Sequence, residues 1–116
     1  MKLTIPAVPP SLNKTLGMNR WERQALNESW RLLIRTQFLP DGRGREKKRV
    51  RIVLWHSRRY DECDNLQGSC KPIFDALKSW GLIYDDSPEW LEAHISQEKC
   101  KHRDRHTTIE IEPAGA

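Results

Sequence analysis

Arg49-Val50-Arg51-Ile52-Val53-Leu54-Trp55 alternates with a period of two: Val50, Ile52 and Leu54 fall on one face, and Arg49, Arg51 and Val53 on the other. Successive side chains of a strand point to opposite faces, so this stretch predicts a β-strand with one buried side. The flanking segments supply its cover. Upstream, Trp21 to Phe38 carries Leu26, Trp30, Leu33 and Ile34 at helical spacing, with Phe38 closing the stripe and Pro40-Asp41-Gly42 ending it. Downstream, Cys70, Ile73, Phe74, Leu77 and Trp80 form a second helical stripe that stops at Gly81, the preferred residue just past a helix. Pro72 fits that helix only in its first turn, where a missing N–H breaks no hydrogen bond.

Further out, Lys2 to Val8 reads as a short strand stopped by Pro9-Pro10, and Pro6 inside it predicts an edge position. Asp41 to Lys48 is a Gly/Arg/Lys loop. Leu91, Ala93 and Ile95 alternate with Glu92 and His94, and Thr107 to Glu112 alternates with Ile109 and Ile111 inward. A basic turn around His102 to Asp104 joins these two runs and predicts a hairpin. The order β-α-β-α-β-β implies one α+β domain over residues 1–113, a mixed sheet with two helices packed on it, followed by a frayed tail at 114–116.

The chain has 116 residues, of which 31% are charged, and a net charge of +4. One small core must therefore serve every role. No apolar run approaches the roughly 20 residues that span a bilayer, and MKLTIPAVPP lacks a signal-peptide apolar stretch, so a cytoplasmic protein is expected. Five Trp beside periodic apolar segments argue against disorder. Cys63, Cys70 and Cys100, an odd count with no secretion signal, read as reduced thiols. Together with His102 they have the residue types for Zn²⁺ but lack the paired C-x₂-C knuckle, and Cys70 belongs to the helical stripe. His56, His94, His102 and His106 form no metal-binding helix motif; His94, on the polar side of its strand, is a candidate for the outer shell of a site. Trp30 and Trp80 fall on apolar stripes and read as packing residues, whereas Trp90 is open.

The charge changes sign along the chain. Arg43, Arg45, Lys47, Lys48, Arg49, Arg51, Arg58 and Arg59 are opposed by Glu46 alone; from Asp61 to Glu92, eight acids face two lysines; Lys99, Lys101, Arg103 and Arg105 then outnumber Asp104. A polyanion partner explains the basic brackets. It explains the acidic middle only if metal ions lie between carboxylates and phosphates. Within that middle, Asp61-Glu62-Cys63-Asp64-Asn65 follows the central strand and Asp85-Asp86 follows the second helix. In an extended chain Glu62 and Asp64 share a face, and Asp86 alongside would complete three hard oxygen ligands for Mg²⁺ or Mn²⁺. Such an ion can ionise a water, polarise a phosphoryl oxygen and stabilise a leaving 3′-oxygen. Lys71, at the start of the second helix, can face a scissile phosphate and offset charge that builds there. The bland alternative is that Asp-Asn and Asp-Asp-Ser-Pro only cap turns.

These residues also carry a resemblance. Asp64-Asn65-Leu66, then Lys71-Pro72-Ile73-Phe74-Asp75-Ala76-Leu77, then Gly81-Leu82-Ile83-Tyr84-Asp85-Asp86-Ser87 resembles the core signature of the RusA family of Holliday junction resolvases. Ile5-Pro6-Ala7-Val8-Pro9-Pro10-Ser11-Leu12-Asn13 resembles that family's first strand and the turn after it. The resemblance implies a small homodimeric, Mg²⁺-dependent endonuclease, common in phages and prophages, that nicks opposed strands of a four-way DNA junction. By position it implies Asp64, Glu62 and Asp86 as metal ligands and Lys71 as the catalytic lysine. The sequence departs from the pattern twice. The first acid is Glu62 in place of Asp, and a bulge at Cys63 would turn Asp61 inward instead. Gln67-Gly68-Ser69-Cys70 precedes Lys71 where the family often has one residue, and Gly68 with Pro72 predicts a loop there.

A four-way junction presents two related phosphates, which two sites across a twofold axis would match. The helix bearing Trp21 and Trp30 is the candidate dimer surface. Arg43, Arg45, Lys47, Lys48, Arg58, Arg59, Lys101 and Arg103 are the expected phosphate contacts along the duplex arms. Two other readings use the same residues: a metal-dependent nuclease for other branched or flap DNA, and a catalytically silent DNA-binding protein.

Overall fold

A computed structural model of the chain describes residues 1–37, 46–60 and 65–114. Nine elements follow in order: β1 (Lys2–Ile5), α1 (Leu12–Leu16), α2 (Arg20–Arg35), β2 (Lys48–His56), α3 (Asn65–Ser69), α4 (Lys71–Ser79), β3 (Leu91–Lys99), a 3₁₀ turn (His102–Asp104) and β4 (His106–Pro113). The expected α+β class holds, with short helices α1 and α3 added to the predicted order. Among the described residues no helix is long and apolar enough to cross a membrane.

The strands form one mixed sheet in the order β1-β4-β2-β3. β2 is its centre, parallel to β3 (Ile52 opposite Ile95) and antiparallel to β4 (Ile52 opposite Ile109). The predicted hairpin between the last two strands is therefore not formed. Helix α4 carries the chain back so that β3 starts beside the start of β2, and the 3₁₀ turn then takes it past the far end of β2 to that strand's other side. Period-two alternation marks a strand and its inward face but carries no information about its neighbour.

Alternation predicts the faces of β2 and β4; on the edge strand β3 Leu91 is buried, but Ala93 is exposed and Ile95 half-buried. Val50, Ile52, Leu54 and Ile109 are fully buried, as are Leu3 and Ile5, and Ile111 is nearly so; they meet Trp30 and Ile34 of α2 and Ile73, Ala76 and Leu77 of α4 in one core cluster. The opposite face of β2 stays in contact with water and is laced by ion pairs. Arg49 Nε lies 2.7 Å from Glu92 on β3, and Arg49 and Arg51 both reach Glu112 on β4, at 3.3 and 3.1 Å.

Helix α2 starts in a capping box: Asn19 Oδ1 accepts from Glu22 N, and Glu22 Oε1 accepts from Asn19 N. It ends at Arg35, short of Phe38, which lies outside the described residues along with Pro40-Asp41-Gly42. The indole of Trp80 donates to Arg31 O at 2.8 Å and ties the end of α4 to α2. Pro72 is in the first turn of α4, and Gly81 follows the helix at φ 74°, a left-handed conformation that glycine adopts without strain. β1 lies at the sheet edge as Pro6 predicts, but stops at Ile5 and does not reach Val8, because proline has no N–H for the ladder. Residues 67–69 form the second half of α3 in place of the predicted loop. Gly68 is accommodated there by close packing: a Cβ on it would stand 2.7 Å from the Leu12 side chain of α1. The tail is tied down as far as Ala114, whose N–H donates to Lys47 O.

Candidate functional site

Five residues set the described part of the acidic site: Lys71, Asp75, Lys78, Asp85 and Asp86. Lys71 is the first residue of α4, its side chain exposed and its Nζ 3.9 Å from Asp75 Oδ1 one turn on. Near the other end of that helix, Lys78 Nζ lies 3.0 Å from Asp85 Oδ1. The hydrogen bond and charge of Asp85, followed by the charges of Asp86 and Asp75, hold the Lys78 ammonium above its ordinary pKa. Lys78 in turn, with the Asp86 backbone N–H and Ser87, holds the Asp85 carboxyl below the usual carboxylate value.

The loop that presents this pair is anchored at both ends. Leu82 and Ile83 are buried, Leu82 N–H donates to Leu77 O, and Trp90 and Leu91 N–H both donate to Ser87 O. The Tyr84 and Trp90 rings pack 4.5 Å apart between centroids. Trp90 thus closes the acidic loop. Within it the two aspartates differ: Asp85 is engaged by Lys78, whereas Asp86 is exposed and forms no ion pair with another described residue. A hard cation needs an oxygen donor that no ammonium already holds, and Asp86 meets that condition.

No three His, Cys, Asp or Glu side chains among the described residues are placed to hold a metal ion. The other expected ligands, Asp61, Glu62 and Asp64, lie outside those residues, as does Cys63. Their described flanks are both fixed. On the far side, Leu66 is buried in α3. On the near side, the Gln97 side chain of β3 holds Tyr60: Oε1 accepts from Tyr60 N at 2.9 Å and Nε2 donates to Tyr60 O at 2.8 Å. This pair of hydrogen bonds to the backbone fixes which way the amide points. His56 Nε2, 3.0 Å from the same Oε1, must then carry the ring hydrogen. Tyr60 also donates its hydroxyl to Pro9 O and stands edge-on to His56. Burial of the phenol pushes Tyr60 above the ordinary tyrosine value. Gln97 and Tyr60 are absent from the sequence reading. The signal for Gln97 is its parity with Leu91 and Ile95, which continues the inward face past the residue where the apolar pattern stops.

The basic residues divide. Arg49 and Arg51 are neutralised on the open sheet face, where Glu92 as the first partner raises the Arg49 guanidinium pKa and Arg49 lowers that of Glu92. Lys48 pairs with Glu46, and Lys47 is exposed at the same end of the sheet. Arg43 and Arg45 lie outside the described residues. Arg58 and Arg59, just past β2, share the opposite end of the sheet with Lys101 and Arg103, just past β3; all four are exposed. Among the described residues the predicted run is thus divided: Lys47 and Lys48 at one end of β2, Arg58 and Arg59 past the other, and the neutralised Arg49 and Arg51 between them.

His94 sits on the open face 3.3 Å from Glu92. The Cys70 thiol is buried, which pushes its pKa up to about 12 and keeps it protonated and unsuited to Zn²⁺. Trp30 is buried and Trp80 half-buried, as their stripes predict, whereas Trp21 is 73% exposed.

Fold and site together define a small α+β domain with a four-stranded mixed sheet, carrying an acidic loop beside α4 and a basic patch where β2 and β3 end. No protein-family model and no curated protein matches the chain.

Proposed function

We propose that the chain is a Mg²⁺-dependent, structure-specific endodeoxyribonuclease of the RusA type, acting as a homodimer to resolve four-way DNA junctions by paired symmetric nicks in recombination and repair. The reading rests on the motif from Asp64 to Ser87. The observation that carries it is the asymmetry within Asp85-Asp86, which leaves the carboxylate assigned as ligand unclaimed while its neighbour is held by Lys78.

Asp64, Glu62 or Asp61, and Asp86 would hold the cation, which when bound supplies positive charge at the scissile phosphate and acidifies a water. Hydrolysis adds the water oxygen to phosphorus and breaks the bond to the 3′-oxygen. Lys71, exposed at the start of α4, supplies a second cation for the charge that builds on the phosphoryl oxygens. Arg58, Arg59, Lys101 and Arg103 hold the flanking duplex through its phosphates and leave sequence unread.

A synthetic four-way junction, a flap and a linear duplex, each end-labelled and incubated with Mg²⁺, test the reading. Symmetric paired nicks on the junction alone, lost in Asp64→Asn and Asp86→Asn while junction binding persists, are the expected result. Cleavage of flaps in preference would favour a different branched substrate. Cleavage of none of the three, with binding intact, would leave a DNA-binding protein.

A further inference from the structure

Where the parallel strands β2 and β3 end, a hollow of 190 Å³ is lined by His56, Ser57, Arg59, Gln97, Glu98 and Lys99. None of these residues belongs to the acidic loop or to the expected metal ligands. We propose that this hollow is a seat for one backbone phosphate of the DNA, separate from the phosphate that is cut. The proposal rests on the nuclease reading for the identity of its ligand.

The lining has the chemistry of an anion site. His56 and Lys99 are opposite one another in the parallel ladder, and Gln97 and Lys99, two apart on β3, share a face. Arg59 and Lys99 bring two cations and Ser57 a hydroxyl donor. Glu98 also lines the hollow and is exposed, so its charge offsets part of that of the two cations. The floor is rigid: His56 and Gln97 are each only 7% exposed and are bonded to one another and, through Gln97, to Tyr60. His56 forms part of the floor, its Nε2–H committed to Gln97, and the donors of the lining are Ser57, Arg59 and Lys99. The volume admits a phosphate group with a few waters. Arg58, Lys101 and Arg103 surround this end of the sheet and add a field of the same sign. The carboxyl ends of parallel strands are where open α/β sheets commonly leave such a crevice.

Two measurements test it. The first is junction binding by fluorescence anisotropy in EDTA over a salt series, comparing the wild type with Lys99→Gln. The expected result is roughly three- to tenfold weaker binding and a salt slope shallower by about 0.9, one phosphate contact fewer. The second is an NMR titration of labelled wild-type protein with inorganic phosphate and, separately, with the phosphodiester of a thymidine dinucleotide. Shifts at Ser57, the His56 ring and the Lys99 amide with the dinucleotide are expected. Wild-type DNA binding with an unchanged slope in Lys99→Gln would overturn the proposal. So would shifts with inorganic phosphate and none with the dinucleotide, which would assign the hollow to a free anion. A wild type that binds no DNA at all would instead overturn the nuclease reading, and with it the DNA as source of the phosphate.

Discussion

The side chain of Gln97 pairs with the backbone of Tyr60 as a strand would, accepting from its N–H at 2.9 Å and donating to its carbonyl at 2.8 Å. β2 has already ended at His56, so this side chain extends the influence of β3 over four further residues, up to the position before Asp61. Replacing Gln97 with Leu keeps the size and removes its hydrogen bonds to His56 and Tyr60, leaving buried polar groups unpaired. The expected cost is about 1–3 kcal/mol in urea unfolding, with faster hydrogen exchange at the Tyr60 amide. Unchanged exchange there would show that the clamp does not hold Tyr60 in solution.

Asp86→Asn and Asp85→Asn should behave differently although the residues are adjacent. Asp85 is occupied by Lys78, so its amide variant should keep Mg²⁺-dependent cleavage, whereas Asp86→Asn should lose it by a factor of a hundred or more, on the order of 3 kcal/mol in transition-state free energy. Paramagnetic broadening by Mn²⁺ around residue 86, abolished only in Asp86→Asn, provides a check independent of turnover. Equal losses in the two variants would contradict the asymmetry.

Asp85 has a folded-state pKa below its ordinary 3.8, with the Lys78 hydrogen bond as first cause. A depressed carboxylate contributes stability above its unfolded pKa and loses it as pH falls through the folded value, so the pair weakens below about pH 4. Lys78→Met should return the Asp85 midpoint towards 3.8 in a carboxyl carbon NMR titration. A midpoint that does not move would assign the shift to the Asp86 N–H and Ser87.

Cys70 is buried, with its thiol pushed up to about 12, and Cys100 is partly exposed. In a Cys63→Ser background, iodoacetamide at pH 8 should label Cys100 in the native protein and reach Cys70 only on unfolding. Because the folded pKa is raised above 9.0, the buried thiol supports the fold fully below pH 9, and that support is lost as pH rises from 9 towards 12. Cys70→Ala should flatten that alkaline limb.

The elements were legible wherever one face is apolar over several turns or residues. Val50-Ile52-Leu54, the Trp30–Ile34 stripe and the Ile73–Trp80 stripe announce both element and buried side, because burial selects side chains by period. What the pattern omits is pairing: Ile95 and Ile109 both face Ile52, and nothing in their own segments says so. The acidic motif was legible by order and spacing alone. That Lys78 takes Asp85 was not, because the contact depends on the path of the eleven-residue loop between α4 and β3, fixed by Leu82, Ile83 and Trp90. Arg49 and Arg51 misled for a related reason: their carboxylate partners are 43 and 61 residues away and meet them only once the sheet has assembled.

Because β1 is hydrogen-bonded only to β4, with Lys2 opposite Glu110, the two most distant strands of the chain depend on each other. A nascent chain emerging from the ribosome can complete the β2–α4–β3 crossover early, but its first strand must wait, unpaired, until the last has been synthesised. Such long-range pairing slows folding, and removal of β4 would also strip β1 of its partner in the sheet.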